Sequence, residues 1–173
     1  MNTILLFIRH MIAILFMPFI IVVIVPIWLL NTFGHIDTRW ENRLAIVWLF
    51  RTAGIVVGFL GLLLFGWCVT LFARVGKGTL APWDPTQDLV GVGPYRNVRN
   101  PMISGVALLL MGQALYRGSW MLGILVAIFI LINHIYFVLA EEPGLEMRFP
   151  GRYRVYKENV PRWIPRIKPW LGK

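Results

Sequence analysis

Four long runs of apolar residues divide this chain. They cover residues 10–30, 44–72, 102–116 and 120–140. A membrane-spanning helix needs about 20 apolar residues to cross a hydrocarbon core of about 30 Å, so three of these runs are long enough by themselves. The third run is short, but only Arg117-Gly118-Ser119 separates it from the fourth, and we expect the two to form a tight helical hairpin. The pattern predicts an all-α, polytopic membrane bundle of about four transmembrane helices in a single domain, residues 1–173.

The first apolar run has a second interpretation as a secretory signal peptide, since Arg9 precedes it. Its apolar stretch is about twice as long as a typical signal-peptide core. No small-residue cleavage site follows it at residues 31–35. We therefore expect the first run to be a retained span.

Composition excludes an ordinary soluble domain. Hydrophobic residues make up 58% of the chain and charged residues 14%, with a mean hydropathy of +0.69. Typical soluble domains are about 45–50% apolar and about 25% charged. The net charge of +9 is typical of nucleic-acid binders too, but in so apolar a chain it indicates membrane topology, and we expect anionic lipid headgroups rather than nucleic acid as partners. The single cysteine, Cys68, excludes an internal disulfide and a cysteine metal cluster, and we expect no metal.

The distribution of Lys and Arg predicts the orientation. Of the 17 cationic side chains, thirteen fall on the side of the two termini, three on the opposite side, and Arg51 falls within the second run. Because cytoplasmic segments carry the excess of Lys and Arg, both termini are expected in the cytoplasm. Segments 73–101 and 141–173 then share that face, where we expect them to form a cofactor site together.

Several polar or small residues lie within the apolar runs. Arg51 is expected to extend its side chain toward the membrane interface. Gly54 and Gly58 form a GxxxG pair, which predicts close packing against another helix. His134 has two interpretations: a buried, hydrogen-bonded histidine, or a site residue that shares its helix face with Glu141.

The segment before the third run is rich in glycine and proline, which exclude a continuous helix there. Gly91 and Gly93 indicate either a plain turn or a backbone that approaches a ligand closely. Pro101 is expected to open the third helix. Arg99 and Asn100 then lie at its N-terminus, where unpaired amides favour an anion such as a carboxylate.

Glu141 and Glu142 follow the fourth run and precede Pro143. We expect them at a helix C-terminus, where the helix dipole repels anions and a cation should compensate. That cation could belong to a ligand or to the chain itself; the internal candidates are Arg99, Arg148 and Arg152.

The remaining C-terminal part has two predicted elements. Leu145, Phe149, Tyr153 and Tyr156 recur at three- and four-residue steps, which predicts one amphipathic helix along an anionic interface. The prolines at 161 and 165 then exclude helix, and Trp163 with its flanking arginines is typical of a headgroup-level anchor.

The order of these motifs is similar to that of a known family. The string Gly-Pro-Tyr-Arg-x-Val-Arg-Asn-Pro at 93–101 precedes a hairpin of two spans and Glu141-Glu142. Phe-x-x-x-Tyr-x-x-Tyr at 149–156 and Val-Pro-Arg at 160–162 then follow. Over roughly residues 76–166 the chain resembles the isoprenylcysteine carboxyl methyltransferase and phospholipid methyltransferase family of integral membrane enzymes. The resemblance implies methyl transfer from S-adenosylmethionine (SAM) to an apolar or lipid-like acceptor.

The resemblance also implies site residues. Gly91, Gly93, Arg99, Glu141 and Glu142 become cofactor candidates, and Arg99, Asn100 and Glu142 catalytic candidates. We add Tyr95 and His134 to the cofactor site from their positions. Asn100 replaces the histidine that is common in the family, and an asparagine cannot carry a proton or a positive charge.

The acceptor and two alternatives stay open at the level of sequence. A carboxylate acceptor would need no general base, whereas a phospholipid amine would have to lose a proton to Glu141, Glu142, His134 or Tyr95. The tail pattern also looks like that of NADPH-dependent membrane sterol reductases. A non-catalytic membrane scaffold of the same fold is the third interpretation.

Overall fold

The computed structural model describes residues 16–34, 37, 44–71, 74–75 and 89–172, and the regular structure in these ranges is entirely helical. The helices are α1 (Phe16–Phe33, including a π-helical turn at Ile20–Ile24), α2 (Leu44–Leu71), α3 (Pro101–Arg117), α4 (Trp120–Tyr136), α5 (Glu142–Arg148) and α6 (Arg152–Asn159). A 3-10 turn, Gly93–Arg96, precedes α3. The predicted all-α membrane fold is confirmed.

Three helical stretches are long and apolar enough to cross a membrane: Phe16–Phe33, Ile46–Leu71 and Trp120–Arg148. Helix α3 has 17 residues and is too short to count by the same measure, so the predicted number of about four is roughly consistent with the structure. Helices α2 and α3 begin and end within one residue of prediction. The first helix continues to Phe33 rather than ending at residue 30. Its predicted start and the stretch 76–85 lie outside the described residues.

The expected helix end at Glu141-Glu142 is wrong. A π-helical turn, Phe137–Glu141, joins α4 to α5, and the helical path continues to Arg148. Pro143 is the second residue of α5, directly after the π-helical turn, where the hydrogen-bond pattern of the helix changes. The two glutamates therefore do not lie at a helix C-terminus, and the dipole penalty that we expected for them does not apply.

The predicted single amphipathic helix is divided in two. Helix α5 ends at Arg148 and α6 begins at Arg152. Between them Pro150 cannot donate a backbone hydrogen bond, and Gly151 adopts φ +82°, a conformation that residues other than glycine rarely adopt. The sequence pattern of apolar residues continues across this break, which is why periodicity alone did not reveal it.

By internal contacts the chain divides into two units, which we describe separately. The first unit comprises Met1–Leu63 and Gly105–Ile130. Within it α2 and α3 pack backbone to backbone: a Cβ atom on Gly112 would lie 2.6 Å from the Gly58 nitrogen, and one on Gly61 would lie 2.7 Å from the Gly105 oxygen. This confirms the predicted close packing of the α2 glycines. The Arg51 guanidinium lies 5.9 Å from the ring centre of Tyr116, a cation–π contact that sequence did not predict.

The second unit comprises Leu64–Ser104 and Leu131–Lys173. Its core includes Tyr153, Tyr156 and Val160. Residues 160–172, which we call the C-terminal segment, form no helix. Three backbone hydrogen bonds attach this segment to the stretch before α3: Arg99 N to Pro161 O (2.9 Å), Arg166 N to Asn97 O (3.0 Å) and Trp170 N to Arg96 O (2.9 Å). Chain segments that are distant in sequence therefore meet around the start of α3.

Candidate functional site

The site in the second unit is centred on the carboxylate of Glu142, whose side chain is 6% exposed. Its Oε1 accepts hydrogen bonds from Arg99 Nη1 at 2.8 Å and from Arg162 Nε at 2.7 Å. Lys157 Nζ lies 3.4 Å from the other oxygen, Oε2, and 3.7 Å from Glu146. Three cations from three segments thus surround one buried carboxylate, and the bond to Glu142 raises the pKa of Arg162.

Arg99 is fixed on several sides. Its backbone N–H donates to Pro161 O, and one terminal nitrogen donates to Glu142. Its Nε is buried and has no hydrogen-bond partner. A buried donor without an acceptor costs about 1–3 kcal/mol, so Nε marks a place where an added acceptor would be stabilising.

Buried tyrosines support this cluster. Burial raises the pKa of the Tyr153 phenol to about 12 and that of Tyr156 further. Tyr156 donates its hydroxyl proton to Tyr95 O at 2.7 Å, which ties α6 to the 3-10 turn before α3. These phenols therefore stay protonated near neutral pH and act as hydrogen-bonding and packing groups.

The two adjacent glutamates have different surroundings. Glu142 is buried, whereas Glu141 is half-buried and forms no salt bridge or hydrogen bond with another described residue. Of the cations that we expected as internal partners, Arg99 does pair with Glu142. Arg148 instead donates to Gly144 O and contacts the Phe149 ring, and Arg152 is exposed. The structure thus compensates Glu142 through Arg99, Arg162 and Lys157.

His134 is hydrogen-bonded, but by a partner that sequence did not indicate. The Trp163 indole N–H donates to His134 Nδ1 at 3.1 Å, and the Trp163 and Phe137 rings lie 5.7 Å apart. Because Nδ1 accepts a hydrogen bond here, a neutral imidazole carries its hydrogen on Nε2. In this tautomer His134 can donate a hydrogen bond through Nε2 but cannot accept a proton there.

Gly93 and Tyr95 contribute to the fold of the stretch before α3, whereas Gly91 shows no steric need for glycine. Gly93 has φ +58°, and a Cβ atom on it would lie 2.8 Å from Leu71 Cδ1. On Gly91 a Cβ atom would be 4.0 Å from the Tyr156 ring, an ordinary contact distance. Tyr95 is buried and hydrogen-bonded to Cys68, and burial holds the pKa of its phenol well above the usual range.

Asn100 provides the start of α3 through its backbone. Its carbonyl accepts the Ser104 N–H at 3.1 Å and the Ser104 hydroxyl at 3.0 Å. Pro101 follows as the first residue of the helix, as predicted.

Sequence reasoning missed Arg162 and Lys157 as members of the cluster. Arg162 was interpreted as a headgroup anchor, and Lys157 as part of the polar face of an amphipathic helix. The sequence feature that pointed to them was the need for cations around Glu141-Glu142. Spacing along the chain could not identify which cations lie there.

Comparisons with known proteins agree with the motif pattern. A sequence profile described as phospholipid methyltransferase matches residues 50–152. The chain is also 35% identical over 63 residues to a protein of Haemophilus influenzae named only as uncharacterized, a match that covers 36% of this chain and 100% of that protein. No solved structure matches. Because the profile covers more than half of the chain, including α3, α4 and Glu142, this membrane protein belongs to the phospholipid methyltransferase family and is a membrane methyltransferase.

Proposed function

We propose that the chain transfers a methyl group from SAM to a lipid-like acceptor that enters from the bilayer. The observation that carries the proposal is the buried, unpartnered Nε–H of Arg99, which together with Arg162 and Lys157 surrounds one buried carboxylate. Such a donor next to the N-terminus of α3 fits a carboxylate, and SAM has one.

The described residues offer groups for both the anionic and the cationic parts of this cofactor. Arg99 would bind the carboxylate, and Glu141, whose carboxylate has no hydrogen bond to a described residue, would accept from an ammonium or from ribose hydroxyls. When bound, SAM supplies an electrophilic methyl group. The residues of this chain position the acceptor and exclude water, which is where most of the rate of such a transfer originates.

The type of acceptor decides whether the site must also remove a proton. Glu142 is a poor base because three cations stabilise its charged form. The Nδ1 lone pair of His134 is engaged with the Trp163 indole, and the raised pKa of Tyr95 keeps its phenol protonated. For an amine acceptor we therefore assign proton removal to Glu141; a carboxylate acceptor needs no base.

A titration of the purified protein in detergent tests this proposal. Isothermal calorimetry should give saturable binding of SAM and none of NADPH. Incubation with SAM that is radiolabelled in its methyl group, in the presence of membrane lipids, should transfer label to the lipid fraction. Binding of NADPH alone would indicate a reductase, and binding of neither compound would indicate a scaffold.

For orientation, we propose that both termini face the cytoplasm, on the basis of the thirteen-to-three distribution of cations. A reporter enzyme fused after Lys173 should be active only in the cytoplasm. Activity of a periplasmic or luminal reporter at the same position would reverse this assignment.

A further inference from the structure

The C-terminal segment runs back along the apolar part of α4. Trp163 donates to His134 and its ring lies 5.7 Å from that of Phe137. His134 precedes Glu141 by seven residues, which corresponds to about 10 Å at 1.5 Å per residue. Trp163 is therefore placed beside the hydrophobic portion of the helix rather than beyond its polar end.

The backbone of this segment is fixed, so its apolar side chains cannot fold inward. Arg166 and Asn97 exchange two hydrogen bonds, Arg166 N to Asn97 O at 3.0 Å and Asn97 Nδ2 to Arg166 O at 2.8 Å. Trp170 N donates to Arg96 O at 2.9 Å, and its ring lies 5.6 Å from Tyr156. Next to these attachments Ile164 is 81% exposed, Ile167 97% and Leu171 70%.

Contact with water is unfavourable for three fixed aliphatic side chains with this exposure. Helix α4 is apolar and exposed as well, at Ile132 and Ile135 on the side away from His134. That surface belongs to a helix that is long and apolar enough to cross a membrane. Through the bond from Trp163 to His134, the segment thus lies beside a helix whose outer surface is in lipid.

The charge of the segment selects the kind of lipid. Residues 160–172 contain Arg162, Arg166 and Lys168 and no Asp or Glu. Arg162 is engaged with Glu142, and Arg166 donates to Asn159 O, which leaves Lys168 as the exposed cation next to Ile167. A basic side chain beside aliphatic ones matches the boundary between anionic headgroups and acyl chains.

From this geometry we infer that the C-terminal segment is a lipid-binding element. Ile164, Ile167 and Leu171 insert into the acyl boundary of the bilayer, and Lys168 binds the headgroup of a negatively charged phospholipid. The inference does not depend on the proposed methyl transfer. It replaces the anchor expected from sequence, because Trp163 and Arg162 have partners within the protein.

Fluorescence quenching on the full-length protein tests this inference. Ile164→Cys, Ile167→Cys and Leu171→Cys variants are labelled with a thiol-reactive fluorophore. The native Cys68 is fully buried, and any labelling of it is measured on the unsubstituted protein. Glu158→Cys, at a well-exposed position on α6, is the matched control. Each protein is reconstituted in nanodiscs of phosphatidylcholine with or without 30% phosphatidylglycerol.

We expect a lipid carrying a nitroxide near its headgroup to quench the three segment labels at least twofold more than the control label. Acrylamide, a water-soluble neutral quencher, should quench them at least twofold less. The Lys168→Glu variant should reduce the nitroxide quenching of the Ile167→Cys label in the phosphatidylglycerol discs only.

Three results would overturn the inference or its choice of lipid. Equal quenching by acrylamide at the segment and at Glu158→Cys would mean that the segment lies in water. Protection from acrylamide without quenching by the nitroxide lipid would mean that protein, for example a second copy of this chain, covers the segment. Quenching that is unaffected by both phosphatidylglycerol and Lys168→Glu would overturn the assignment of an anionic lipid.

Discussion

Arg162 donates from Nε to Oε1 of Glu142 at 2.7 Å. The family profile ends at residue 152, so this bond extends the site into a segment that the profile does not cover. Pro161 O, one residue earlier, accepts the backbone N–H of Arg99 at 2.9 Å. Through these two bonds the C-terminal segment fixes the Glu142 carboxylate and the backbone of Arg99. Of these two residues, we assign Arg99 to cofactor binding.

The Arg162→Gln variant should be less stable by about 1–3 kcal/mol, because a buried carboxylate loses a charged hydrogen bond while it retains Arg99 and Lys157. The control is Arg154→Gln, whose 75% exposed side chain pairs with Glu158 at 3.6 Å. We expect the control to change stability by less than about 0.5 kcal/mol. Thermal unfolding is measured in detergent by the reaction of a fluorogenic dye with Cys68, which is fully buried in the folded protein.

Equal unfolding temperatures for Arg162→Gln and Arg154→Gln would contradict the role of Arg162. A double variant adds a second check. If both residues act through one bond, Arg162→Gln should cost less in a Glu142→Gln background than in the native chain.

Neutralising the two glutamates should affect different properties of the protein. Glu142→Gln leaves Arg99, Arg162 and Lys157 without their shared anion, so the empty protein should lose about 3 kcal/mol of stability. Glu141→Gln should change stability little and weaken SAM binding by about 1–3 kcal/mol, which is about 5- to 150-fold in the dissociation constant. Melting with and without saturating SAM separates the two effects. A full SAM-induced shift in Glu141→Gln would remove Glu141 from the cofactor site.

The helices could be predicted from sequence because the length of an apolar run by itself indicates a helix that spans the membrane. Helices α2 and α3 were placed within a residue. The same reasoning failed at Glu141, where a π-helical turn carries the helix past two charges and a proline. It also failed at Pro150-Gly151, since apolar spacing continues across the break.

The site was predicted in its parts but not in its connections. Arg99 and Glu142 were identified from their motifs, and they do pair. Arg162 and Trp163 were interpreted as anchors because a sequence does not show that a tail folds back to Glu142 and His134. Such contacts depend on tertiary packing over 20 and 29 residues, which neither periodicity nor local propensity encodes.

Arg99→Lys should impair SAM binding although it preserves the charge. A lysine ammonium cannot reproduce both the hydrogen bond to Glu142 and the N–H at the Nε position of Arg99. We expect the dissociation constant for SAM to be at least fivefold larger, which corresponds to a loss of about 1 kcal/mol of binding free energy. Arg152→Lys, an exposed position on α6, provides the control for the same change of residue. Unchanged affinity with reduced methyl transfer would instead assign Arg99 to the acceptor, and no change in either quantity would reduce it to a structural role.

The close packing of α2 and α3 predicts opposite effects for two glycines that face each other. A Cβ atom on Gly112 would lie 2.6 Å from the Gly58 nitrogen and 2.7 Å from the Gly54 oxygen, and these backbone atoms cannot move without separating the helices. Gly112→Ala should therefore destabilise the protein by about 1–3 kcal/mol. On Gly58 a Cβ atom would lie 3.9 Å from Gly112 Cα, an ordinary contact, so Gly58→Ala should be neutral or stabilise by up to about 1 kcal/mol through helix propensity. Both variants are measured by the Cys68 unfolding assay, and equal unfolding temperatures would show that the two helices do not approach each other at Gly112.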